Sequence, residues 1–162
     1  MTVQLDGETL LVRLPDSADA PRARVVLATP RLTALLHRGI GDVAVARLSG
    51  ERVDVSSTGG GTVSVATIDT PVLAATLVGE GELKLSGRTA RARLALNGPG
   101  LLDATALVAG EAEVSLVGDG DLRGAARYGA RVHAVGKGRV AVTGTMPCSI
   151  SASGGATVAC GK

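Results

Sequence analysis

The side chains able to do chemistry in this chain are few and scattered. It has two histidines, His37 and His133, two cysteines, Cys148 and Cys160, and one aromatic residue, Tyr128. The histidines stand nearly a hundred residues apart and in different columns of the repeat described below, so they build neither a triad nor a metal cluster. No histidine or further cysteine accompanies Cys148 and Cys160, so no metal site is expected there. Asp42, Glu82 and Asp121 share one position of the repeat, but Thr62 and Leu101 occupy it in the units between. Alternate strands of a stacked sheet are already about 9.6 Å apart. An inverting glycosidase works with carboxylates roughly 6.5–9.5 Å apart, but it also needs a sugar-holding cleft, usually aromatic. A single tyrosine does not supply that cleft. The residues therefore predict no catalytic group, no metal and no cofactor.

The elements that must position these residues are set by a short phrase that occurs seven times: GIGDV at 39, GGGTV at 59, GEGEL at 79, GPGLL at 98, GDGDL at 118, GKGRV at 136 and GGATV at 154. The spacings are 20, 20, 19, 20, 18 and 18 residues. Six copies are Gly-x-Gly, supplying Gly39, Gly41, Gly59, Gly61, Gly79, Gly81, Gly98, Gly100, Gly118, Gly120, Gly136 and Gly138. The seventh keeps Gly154 and has Ala156 in place of the second glycine. These are read as structural turn glycines: a nucleotide-cradling loop occurs once, ahead of a helix, not repeatedly ahead of strands. The calcium-binding nonapeptide form has a nine-residue period and is not matched.

Counted from the first glycine, the fourth residue after it is Val43, Val63, Leu83, Leu102, Leu122, Val140 and Val158. The fourth before it is Leu35, Val55, Ala75, Leu94, Val114, Val132 and Ile150. Small polar residues such as Ser56, Thr76, Ser115 and Ser151 alternate with them, which is the period-two pattern of strands with one buried face. No window holds a helical period. The fold class read from this is all-β: a right-handed parallel β-helix of about seven rungs of 18–20 residues, each a strand, a glycine bend, a strand and a looser return. Its core must be thin, because Val, Leu and Ala fill it without large rings. One domain spans 1–162. Within it, 31–162 form the rungs, and 1–30 form a cap whose strands, TLLVRLP (9–15) and ARVVLATP (23–30), flank the polar loop DSADAP.

A net charge of +2 gives no field that implies nucleic acid or an anionic membrane. The N-terminal segment has early acids and no uninterrupted apolar stretch, so it reads as neither a signal peptide nor a membrane span. Two outward columns alternate in sign, Arg93, Glu113, Arg131 and Lys84, Asp103, Arg123, and are read as ladders of exposed opposite charges. His37 takes the place of Leu77, Leu96 and Leu116 in later units and is read as a satisfied histidine at the core edge. Cys148 and Cys160 lie six residues either side of Gly154, on the inward parity. The bend brings them together either as a disulfide closing the last coil or as a pair of buried free thiols, the choice resting on the compartment.

The run of Gly-x-Gly phrases at about twenty-residue intervals, ending in MPCSISASGGATVACGK, resembles the bacterial putative auto-transporter adhesin, head GIN domain family. In that pattern the closing Cys, glycine bend and Cys-Gly fall here on Cys148, Gly154, Gly155, Cys160 and Gly161. The resemblance runs from about GETLLVRLP onward. It implies a leader and further strands ahead of that segment, and Met1 falls in the middle of the pattern. It also implies a right-handed β-helix on an exported, envelope or surface-associated protein without a catalytic role. The function expected is a non-catalytic adhesin or scaffold whose partner is a surface polymer or protein, with no nucleic acid and no direct membrane insertion, and with a homo-oligomer left open. The alternatives are a self-assembling, filament-like β-helix subunit and a polysaccharide-active β-helix enzyme.

Overall fold

The computed structural model describes residues 2–13, 26, 29, 31–144 and 147–161. Alternation of small aliphatic with polar residues leaves each strand one face to bury, and parallel stacking of coil on coil buries it. The strands run β1 (Thr2–Asp6), β2 (Thr9–Arg13), β3 (Ala34–Arg38), β4 (Val43–Val45), β5 (Leu48–Ser49), β6 (Arg52–Thr58), β7 (Thr62–Val78), β8 (Glu82–Asn97), β9 (Leu101–Val117), β10 (Asp121–Val135), β11 (Arg139–Thr143), β12 (Cys148–Ser153) and β13 (Thr157–Gly161). From β3 onward all pairing is parallel, one coil on the next, and makes a β-solenoid of about seven turns. None of the described residues is helical.

The expected columns stack residue on residue. Val43, Val63, Leu83, Leu102, Leu122, Val140 and Val158 pair in that order from coil to coil. So do Leu35, Val55, Ala75, Leu94, Val114, Val132 and Ile150. Val63, Leu83, Leu102 and Leu122 are all 0% exposed, while Val43 and Val158, in the terminal coils, are half-buried. A further inward wall holds Leu48, Ile68 and Leu107.

The return limb is not loose. From β7 to β10 each coil is one strand of 15 to 17 residues running from bend to bend, so the return is hydrogen-bonded like the rest. The corners are register shifts within the strand, as between Lys84 and Ser86, rather than loops. Two polar residues sit inside this limb, and both are satisfied locally. The hydroxyls of Thr70 and Thr89 donate to the carbonyls of Val72 and Arg91, each at 3.0 Å.

The expected strand at 9–15 is present as β2, but its partner is β1, joined antiparallel through a tight turn at Gly7 and Glu8. Gly7, with φ of 57°, takes the first loop position of that two-residue turn. Within the hairpin only Val12 is even half-buried. Most of the second expected cap strand, 23–30, lies outside the described residues.

At the bends the two glycines do different work. Gly98 adopts a φ of 120°, which a side-chain-bearing residue rarely takes. Gly100 has no such φ, but a Cβ there would stand 2.6 Å from the carbonyl oxygen of Gly81 and 2.8 Å from that of Gly79. The backbone at this corner is already hydrogen-bonded across coils: Gly81 N–H donates to Gly59 at 3.0 Å, and Leu101 N–H to Gly81 at 3.0 Å. In the last coil, where Ala156 replaces the second glycine, positive φ falls on both Gly154 and Gly155. The bend is reshaped around the added methyl.

Cys148 sits above Ala130 and Ala112, and Cys160 above Val142 and Gly124, on two walls of the interior. The cysteines are joined in a disulfide across it, with Cα atoms 6.5 Å apart, and the free-thiol alternative is set aside.

Gly100→Ala should lower stability in urea unfolding by about 1–3 kcal/mol through forced overpacking. Gly41→Ala, whose Cβ would meet nothing nearer than His37 Nε2 at 4.0 Å, should change stability by less than about 0.5 kcal/mol. Cys148→Ser with Cys160→Ser should cost about 3 kcal/mol on the loop-entropy model. In hydrogen exchange the loss of protection should be confined to β12 and β13.

Candidate functional site

Outward positions are the only ones free of the core and bend constraints, and one outward face is concave. The inward residue between two outward columns changes from Val53 and Leu73 in the early coils to Ala92, Ala112 and Ala130 in the later ones. These alanines, 3%, 5% and 5% exposed, form the floor of a shallow axial groove of about 620 Å³. Arg52, Arg91 and Glu111 stand along one side, and Arg93, Glu113, Arg131 and Ser149 along the other. A second depression of about 380 Å³ continues from it, sharing Glu113, Arg131 and Ser149 and adding Ser115, His133 and Ser151.

The register explains this clustering. Arg131 lies between Glu113 and Ser149 on adjacent coils, and His133 between Ser115 and Ser151. Counting back three from each glycine places Ser115, His133 and Ser151 in one column, so this neighbourhood was readable from the spacing, although the histidine alone gives no cue. Tyr128 is 73% exposed and lies over Gly110, where an added Cβ would be 3.5 Å from the ring's Cδ2.

Arg93 meets Glu113 at 3.0 Å across coils, as the sign alternation predicts. Arg52 instead forks onto Asp54 of its own strand, at 3.0 Å through Nε and 2.9 Å through Nη2. That hydrogen bonding, with the adjacent negative charge, raises the arginine's pKa further above its ordinary value. The second expected ladder does not form. Lys84 turns along its strand to Glu82 at 3.1 Å, and Arg123 to Asp121 at 3.7 Å. Asp103 accepts from the backbone N–H of Thr105 at 3.0 Å and from its hydroxyl at 2.7 Å. The local partner is nearer than the one on the next coil, and long exposed side chains gain little by reaching further.

The acids that share a column stay on alternate coils. Glu82 lies against Thr62 and Leu101, and Asp121 against Leu101 and Arg139. Asp42 accepts the Thr62 backbone N–H at 2.9 Å, completing the first bend. His37 is 8% exposed with its Nδ1 3.1 Å from the Ser57 hydroxyl, the satisfied core-edge arrangement. The described residues contain no group of three or more His, Cys, Asp and Glu placed to hold a metal ion. None of them forms a helix long and apolar enough to cross a membrane.

Hydrogen bonds from the Thr105 hydroxyl and then its N–H lower the Asp103 pKa, helped by the charges of Arg123 and Lys84. A depressed folded pKa stabilises above the ordinary carboxylate range, and that contribution is lost as pH falls through the folded pKa. Thr105→Val should move the Asp103 carboxyl upward in an NMR titration and narrow that acid-side window.

Comparison with curated proteins and with solved structures gives no match. The family model described as putative auto-transporter adhesin, head GIN domain, matches residues 1–146. The closing coil with Cys148, Cys160 and their disulfide lies beyond the matched stretch. The repeat that builds the solenoid lies almost wholly within it, and on that match the chain belongs to the putative auto-transporter adhesin, head GIN domain family.

Proposed function

We propose that this protein is a non-catalytic module of the bacterial cell envelope or surface, an adhesin or scaffold that engages a polymer or protein through the outer face of a rigid solenoid. The observation that carries the reading is the disulfide across the last coil of a family member with an adhesin-like description. Structural disulfides persist in oxidising compartments, which for a bacterium lie outside the cytoplasm. A solenoid also suits the task, because each coil contacts only its neighbours and the stack offers a long face of fixed geometry. Nucleic acid and bilayer insertion form no part of the proposal.

The test is made on tagged protein in its host. Intact cells should lose the tag to added protease, and thiol alkylation followed by mass spectrometry should find Cys148 and Cys160 blocked. Free thiols with full protection from protease would overturn the reading.

A further inference from the structure

We propose that the axial groove binds a linear carboxylated polysaccharide, its chain lying across the coils and its carboxylates taken by Arg91 and Arg131. This rests on the surface-module reading and names the class of ligand.

The groove runs from Arg52 on β6 to Ser149 on β12, five steps between paired strands and so roughly 24 Å at the spacing of a sheet. That length fits an extended polymer better than a small anion. An extended peptide is disfavoured along most of the groove, because β7, β8, β9 and β10 beneath it are each paired on both sides within the coil stack. Over those four strands no free edge remains for a peptide strand to extend, and only β12, paired with β10 alone among the described residues, keeps one at the end of the groove. Recognition must come from side chains, and those present suit an acidic sugar chain.

Arg52 and Arg93 are engaged by Asp54 and Glu113, whereas Arg91 and Arg131 make no ion pair among the described residues. Both are exposed on the groove walls, on β8 and β10, about 9.6 Å apart along the axis if measured by strand spacing. A guanidinium takes a carboxylate in a two-point fork, and two guanidiniums carried on strands two coil spacings apart favour a ligand whose charge repeats along its length. Between and beside them, Glu111 and the hydroxyls of Ser149 and Ser151 can accept from or donate to sugar hydroxyls. Tyr128 precedes Gly129 of the groove wall and presents an exposed ring with both an apolar face and a polar tip, the amphipathic character of a sugar's own surface.

The experiment titrates the oxidised protein by calorimetry with polygalacturonate, with its fully methyl-esterified form, and with a single-stranded nucleic acid homopolymer. Polygalacturonate should bind and the ester should not. The double variant R91A/R131A should bind about tenfold or more weakly, the effect of losing one or more charge-assisted bonds. The opposite-face control K84A/R123A should change affinity less than about twofold, since exposed charges remote from a site contribute little. Circular dichroism and urea midpoints show that each variant is folded. The inference is overturned if wild-type protein ignores polygalacturonate, if R91A/R131A binds like wild type, if the control pair loses as much, or if the nucleic acid is bound in preference. Protein that is exported and oxidised in its host yet ignores polygalacturonate would sink this inference alone and leave the surface-module reading standing.

Discussion

The coil-to-coil hydrogen bonds at the bends set the terms for the rest of the molecule. Successive bends lie one strand spacing apart, about 4.8 Å, and their backbones are bonded directly to one another. That closeness leaves no volume between one carbonyl and the next. A Cβ at Gly120 would meet the carbonyl oxygens of Gly100 and Gly98 at 2.6 Å each. Because each corner admits only one backbone path, each coil begins in the same place as the one beneath it. Val63, Leu83, Leu102 and Leu122 are then obliged to lie over one another. The core is a consequence of the corner.

That core tolerates polar atoms only where they find a partner without leaving the coil stack. His37 occurs where later coils have leucine, and the residue above it is Ser57, whose hydroxyl meets its ring. Thr70 and Thr89 stack on each other and turn their hydroxyls to nearby carbonyls. In the coil of β12 and β13 the chain changes device. Ala156 breaks the glycine rule at its bend, and a covalent link between Cys148 and Cys160 ties that coil together.

The columns were legible in the sequence because a fixed corner makes counting equivalent to geometry. Counting from the glycine gives the neighbours of Val114 or Ile150 without any knowledge of their surroundings. It fails where strands shift register, since an irregularity such as that between Gly124 and Gly129 breaks the count. Hence the count predicts a loose return where the limb is paired. It fails again for long exposed side chains, whose partners depend on rotamers rather than on backbone. Lys84 and Arg123 choose acids two residues away on their own strands, although Asp103 stands between them in the column. At the N-terminus the Gly7-Glu8 turn, with glycine at its first loop position, signals a hairpin by its chemistry, but it lies outside the glycine repeat.

The groove escapes the glycine count for a related reason. Its shape depends on inward residues becoming smaller, from Val53 and Leu73 to Ala92, Ala112 and Ala130, a change that alters no pattern of apolar and polar. Cys148 stands over Ala130 in that same column, joined to Cys160. With corners held to glycine and the interior to small aliphatics, the outward columns are where chemistry can vary without cost to the stack. Arg91 and Arg131 stand there on coils whose positions the core has already fixed, so the backbone sets the interval between their Cα atoms along the axis, and their rotamers set where each guanidinium reaches.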